Sequence, residues 1–246
     1  MATCAYLVRI IVRPENEAVS DWMDWYSSEC LPETLARIKA TRGGLYRAYD
    51  TFELQTKTPL DGGETALHDM KLSQTIDFES PTDMVLLVMA QIQSIENPED
   101  IFRLASPPVS GPHASAADIR LYKLIEDYDP QKLGHRRSPF VLNVQVQPAD
   151  VDDYNTFYSG EHLHMLSRVP GYRRSQRYKF VTGQTKASLG APQFMAVHEW
   201  DHLDALDGPE LREADASVNT RRVFGSALKV NIRGFQNRAV YGDIQK

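Results

Sequence analysis

Glu161, His162 and His164 fall within one turn of the stretch Tyr154-Asn-Thr-Phe-Tyr-Ser-Gly-Glu-His-Leu-His-Met-Leu166. Two imidazoles beside a carboxylate can pass a proton near neutral pH, where histidine ordinarily titrates. His162 is the candidate general base or acid, set against the plainer role of an exposed helical histidine. Glu161 is a second candidate, although helical carboxylates more often form ion pairs, here with Arg168 or Arg173. Tyr158 could complement them as an acid, set against a place in the core with its hydroxyl on a polar partner. His164 stands two positions from His162, so the two rings diverge on a helix. It is a candidate substrate contact or a surface group.

That divergence also argues against a metal, since a helical pair at i and i+4 would be the convincing arrangement. Cys4 and Cys30 are the only cysteines and make no zinc site. No glycine-rich phosphate loop, dinucleotide fingerprint or Gly-x-Ser-x-Gly elbow appears. Neither a metal nor a cofactor is expected.

The elements that hold these groups follow from periodicity. Tyr154, Phe157, Tyr158, Met165 and Leu166 return at helical spacing, so 151–168 reads as an amphipathic helix. Pro170-Gly171 stops it, and 172–181 leaves as a strand. Before it, Phe140 to Gln147 alternates cleanly as a strand, and after it Phe194 to Trp200 is a third. His198 sits in that third strand. If Met195 and Val197 face the helices, Ala196, His198 and Trp200 line the opposite side; in the other register Glu199 does so. The first register is preferred, which makes His198 the partner of His162.

The same order stands earlier in the chain. Ala5–Arg13 is a strand and Ala18–Lys39 a helix with a kink or break near Pro32. Leu45–Gln55 and Asp83–Ala90 are strands, a helix starts at Asn97-Pro98-Glu99, and Asp118–Glu126 is a strand. The polar segment 56–79 reads as an inserted loop. Tyr26-Ser-Ser-Glu29 overlays Tyr158-Ser-Gly-Glu161, and Gly208-Pro209-Glu210 matches Asn97-Pro98-Glu99. This places Cys30 opposite His162 and implies a single working site, in the second half.

Each half reads β-α-β-β-α-β, the ferredoxin-like order. The expected fold class is α+β: two ferredoxin-like repeats, 1–128 and 140–246, joined by a linker at 129–139. Each sheet has helices on one face and a bare face on the other. The two bare faces can cover each other as an intramolecular dimeric α+β barrel. By alternation Arg9, Asn143, Gln145, Asn231 and Arg233 point into that barrel, as candidates to hold a carboxylate or carbonyl oxygen.

The pattern Tyr-x-x-Glu-His-x-x-x-Leu-x-x-x-Pro-Gly followed by an aromatic and basic strand, residues 158–180, resembles the EthD-like branch of the dimeric α+β barrel superfamily. It is most similar to duplicated fungal members. The resemblance implies that His162 points to the open end of the barrel cavity. It implies a cofactor-independent enzyme acting by proton transfer on an aromatic or polyketide-like molecule, in a decarboxylation, cyclisation or isomerisation. Two alternatives stand beside it: a non-catalytic small-molecule-binding or stress-type barrel, and a cofactorless monooxygenase.

The bulk properties bound the rest. The net charge of −6 gives no reason to expect nucleic acid as a partner. No apolar run approaches the ~20 residues that span a bilayer. The expected partner is a small-molecule substrate, with no membrane, in a cytoplasmic monomer or homodimer.

Overall fold

The computed structural model describes residues 5–14, 19–48, 86–134, 138–202, 206 and 208–242. The polar segment 56–79, with its His68, lies outside the described residues.

The strands are β1 (Tyr6–Pro14), β2 (Arg42–Ala48), β3 (Leu86–Ile92), β4 (Ser115–Tyr128), β5 (Phe140–Gln147), β6 (Tyr172–Gly183), β7 (Phe194–Trp200) and β8 (Lys229–Gly242). They close a barrel in the order β1-β3-β2-β8-β5-β7-β6-β4. Cut at β2/β8 and β6/β4, the ring gives β4-β1-β3-β2 and β8-β5-β7-β6. The two runs have the same order, that of a ferredoxin-like sheet. The fold is therefore one dimeric α+β barrel, its ferredoxin-like half built twice within one chain. The two 14-residue strands make the joins. β4 pairs with β1 and then, at its far end, with β6. β8 pairs with β5 and then with β2.

The helices are α1 (Val19–Trp25), α2 (Leu31–Arg37), α3 (Pro98–Ala105), α4 (Val151–Phe157), α5 (Leu163–Leu166), α6 (Lys186–Leu189), α7 (Pro209–Ala216) and α8 (Val218–Ser226). The helices expected over 18–39 and 151–168 are each interrupted at the same place. One π turn runs from Tyr26 to Cys30, the other from Tyr158 to His162. The Leu31 amide reaches back to the Tyr26 carbonyl, and the Leu163 amide to that of Tyr158. Pro32 does not cause the first break. It follows the π turn, in the opening turn of α2, and the second repeat makes the same turn with His164 in its place. In the second repeat Asp150 caps α4 by accepting from the Asp152 and Asp153 amides. Gly171 leaves the helical segment with φ 76°, the left-handed exit its sequence position called for.

Three apolar layers result. Val8, Ile10 and Val12 meet Trp22, Tyr26 and Leu31 in the first repeat. Leu142, Val144 and Val146 meet Tyr154, Phe157 and Leu163 in the second. Leu7, Ile11, Val141, Met195, Val197 and Phe235 fill the barrel interior.

Candidate active site

The π turn widens the inward stripe of the second repeat's helix. It turns Tyr158, His162 and Leu163 toward the sheet together, and all three are buried. Such single-turn insertions recur at functional sites. Opposite them β7 presents Ala196, His198 and Trp200. The expected register of this strand is thus reversed. Met195 and Val197 point into the barrel, and Glu199 lines a separate hollow at the barrel's end. His198 does not look into the barrel. It faces the helices, and His162 points at it from the same, outer side of the sheet.

The two histidines nevertheless meet, with ring centroids 6.5 Å apart. Tyr158 stacks parallel to His198 at 6.3 Å and meets His162 edge-on at 5.0 Å. They share a small hollow, open at its mouth, walled by Leu142, Val144, Leu166, Trp200, Leu211 and Phe224. Asp215, at the end of α7, completes its lining. The sequence reading missed Asp215. Its signal was the spacing Leu211, Ala214, Asp215, which puts the carboxyl on the buried face of a short helix.

Burial sets the electrostatics. Desolvation, with a smaller repulsion from the Arg177 guanidinium, lowers His162 from 6.5 to about 3. Desolvation, then His162, then Arg177, lowers His198 to about 3. Desolvation alone raises Asp215 from 3.8 to about 7. Burial likewise pushes the Tyr158 phenol well above its usual range. At neutral pH the imidazoles and the phenol are therefore neutral, and Asp215 is near half ionisation.

Packing fixes these groups. The Tyr172 hydroxyl donates to Ser175 Oγ at 2.7 Å, and Ser175 Oγ lies 2.6 Å from His198 Nδ1. That leaves the Ser175 hydrogen free to reach Nδ1, and in that tautomer the ring's own proton sits on Nε2. His162 Nδ1 and Trp200 Nε1 are buried and make no hydrogen bond among the described residues. Arg177 lies over the Tyr158 ring at 4.5 Å. Its Nη atoms donate to Glu126 Oε2 at 2.6 Å and Asn155 Oδ1 at 2.6 Å.

Glu161 points elsewhere. It pairs with neither Arg168 nor Arg173, which meet Glu213 and Asp201. Instead it accepts from Ser217 Oγ at 2.9 Å and Asn219 Nδ2 at 2.5 Å. This holds the corner between α7 and α8, two residues beyond Asp215. His164 is exposed and lines no part of the hollow, because a helix turns its neighbour-but-one away.

Arg9, Asn143, Gln145, Asn231 and Arg233 lie on the other side of the sheet. Arg9, Asn143 and Gln145 are buried in the barrel, where Arg120 joins Asp118 at 2.5 Å and Gln145 Oε1 at 3.1 Å. Asn231 and Arg233 are register partners of Gln145 and Asn143. The sheet separates all five from the histidines, so the two groups do not form one site.

The first repeat has no counterpart to this constellation among its described residues. Cys30 stands where His162 does, its thiol raised by burial. Trp22 stacks on Tyr26 at 4.4 Å, and the outer face of β3 is Leu86, Val88, Ala90 and Ile92.

Among the described residues no cluster of His, Cys, Asp or Glu is arranged to hold a metal. None of their helices is long and apolar enough to cross a membrane.

No family model matches the sequence, and no curated protein matches it. Solved structures share its fold. An anthrone oxidase-like protein superposes with a TM-score of 0.57 at 14% identity, over 96% of this chain and 93% of that one. A mutant chlorite dismutase from Candidatus Nitrospira defluvii gives 0.54 at 9%, over 97% and 93%. A monooxygenase-type protein from Lactobacillus acidophilus NCFM gives 0.50 at 9%, over 98% and 97%. At these identities the likeness is one of fold.

Proposed function

We propose that this chain is an enzyme that moves a proton on an enolisable or phenolic hydrophobic molecule, bound between the helices and sheet of its second repeat. One observation carries the reading. Tyr158, His162, His198 and Asp215 converge on one apolar hollow, and their surroundings push the carboxyl and the imidazoles in opposite directions. Titratable groups separated in this way are the mark of assigned acid and base roles.

A base serves best when its pKa lies near the working pH. That favours Asp215 over either histidine, which sequence alone had ranked first. In the proposed step the Asp215 carboxylate takes a proton from a carbon beside a carbonyl. The C–H electron pair forms a carbon–carbon double bond, and the carbonyl π pair moves onto the oxygen. The His198 Nε2–H, with neutral His162 beside it, hydrogen-bonds the developing enolate. Where the substrate carries a double bond next to that carbon, Asp215 then returns the proton to the γ-carbon of the dienolate, completing an isomerisation. Alternatively the enolate carbon attacks a second carbonyl of the same molecule, and the alkoxide so formed takes the proton back from Asp215, completing a cyclisation. The resemblance of the His162 motif to EthD-like proteins supports an aromatic or polyketide-like substrate. So does the likeness to an anthrone oxidase-like protein.

The test is hydrogen–deuterium exchange of 2-tetralone and anthrone in heavy water under argon, followed by NMR. The enzyme should accelerate exchange, and Asp215→Asn and His162→Phe should each abolish the acceleration. Exchange no faster than in buffer, or undiminished in both variants, refutes the reading. Turnover of anthrone that requires air would instead assign the enolate to an oxygen-using reaction.

A further inference from the structure

The lining of the hollow discriminates by charge. Asp215 is its one carboxylate, and neither lysine nor arginine lines it among the described residues. The nearest guanidinium, Arg177, lies behind the Tyr158 ring and turns its Nη atoms to Glu126, Ser159 and Asn155. What the lining offers a ligand is neutral: the Tyr158 and Trp200 rings and the two imidazoles. Groups facing Asp215 across the hollow are Tyr158 and His162 from the π turn and His198 from β7. None supplies a positive charge. The fold does place guanidinium groups in its interior, but Arg9, Arg120 and Arg174 lie on the far side of the sheet.

We infer that the substrate enters this hollow uncharged, presenting hydroxyl or carbonyl oxygens, and that carboxylate-bearing molecules are rejected. This rests on the proton-transfer reading above and narrows it. A carboxylate would be desolvated against Asp215 with no cation to offset either charge. A carbonyl or phenolic oxygen brings no charge against Asp215 and meets the neutral imidazoles beside it. Decarboxylation, which needs a carboxylate on the substrate, leaves the set of reactions. Isomerisation and cyclisation remain.

Calorimetric titration with a matched pair of probes tests this, 2-naphthol against 2-naphthoate at pH 8. The alcohol should bind at least about tenfold more tightly, a modest share of what like charges cost at close range. Asp215→Asn should narrow the gap by strengthening naphthoate binding. Equal binding of the two by the unaltered protein, or tighter binding of naphthoate, overturns the inference and leaves proton transfer standing. That comparison needs no variant to fold. Failure of both probes to bind would remove the hollow as a ligand site, and both readings with it. In a folded Asp215→Asn, an unchanged gap also overturns the assignment of the selectivity to Asp215.

Discussion

Lowering the pH from 6.5 to 5 loads the buried groups of the hollow in opposite senses. His162 and His198 stand at about 3 in the folded chain against 6.5 for a free imidazole. Their contribution to stability is complete above 6.5 and is lost as pH falls toward 3, because the unfolded chain takes up the protons first. Over 1.5 pH units each should cost about 2 kcal/mol, at roughly 1.4 kcal/mol per unit. Asp215 behaves oppositely, at about 7 folded against 3.8. Its protonated form is favoured in the fold, so its contribution is present at low pH and lost as pH rises through 7. Over the same interval acidification returns about 2 kcal/mol. Two histidines against one aspartate leave a net loss of about 2 kcal/mol.

Urea unfolding at the two pH values measures this. Asp215→Asn removes the offset and should deepen the loss to about 4 kcal/mol. His162→Phe should bring it near zero. Phe fits there, since His162 packs against Phe157 at 4.9 Å and Phe224 at 5.8 Å, and its Nδ1 makes no hydrogen bond among the described residues. Exposed carboxylates titrate alike in all three proteins and cancel in the differences. The reasoning fails if Asp215→Asn loses no more than the parent, or if His162→Phe loses more.

Two further substitutions probe the supports of the site. Glu161→Ala, which strips Ser217 and Asn219 of their acceptor, should cost about 1.5–3 kcal/mol in urea unfolding, and Glu161→Gln should recover part of it. Arg177→Met leaves Glu126 without its buried partner and should cost about 3–5 kcal/mol. It should also let the His162 and His198 imidazole resonances titrate nearer 6.5 by NMR, since the guanidinium helps hold both rings neutral.

The strand faces were legible where one side of the alternation was polar. On β1 and β5, Arg9, Asn143 and Gln145 mark the barrel side against a run of Val, Ile and Leu. β7 gave no such mark. Its sheet is covered on both faces, by helices and by the barrel's own interior, so Phe-Met-Ala-Val-His-Glu-Trp carries apolar groups on both sides and the register inverted. The histidine pair survived that inversion because His162 lies on the same, outer side. The repeat was readable from Tyr26 and Tyr158, but the π turns were not. An added residue leaves the helical period intact on either side of it and shows only as a widened apolar stripe. Asp215 was hidden by composition, as one acid among the charged residues of α7, and only its distance from Leu211 set it apart.

The split pairing of β4 and β8 has a consequence for the order in which the barrel can form. Leu45 of β2 is hydrogen-bonded to the strand that holds Ala239, and Tyr122 of β4 to the strand that holds Phe180. During synthesis the first repeat therefore emerges with both rims of its sheet unpaired: β4 until β6 is made, and β2 until β8, the last strand, follows. Such rims recruit other strands readily, and contacts this distant along the chain close slowly. The nascent first repeat is thus the vulnerable species in the life of this molecule. A chain stopped just before β8 would be left with β2 and β5 as open templates for aggregation.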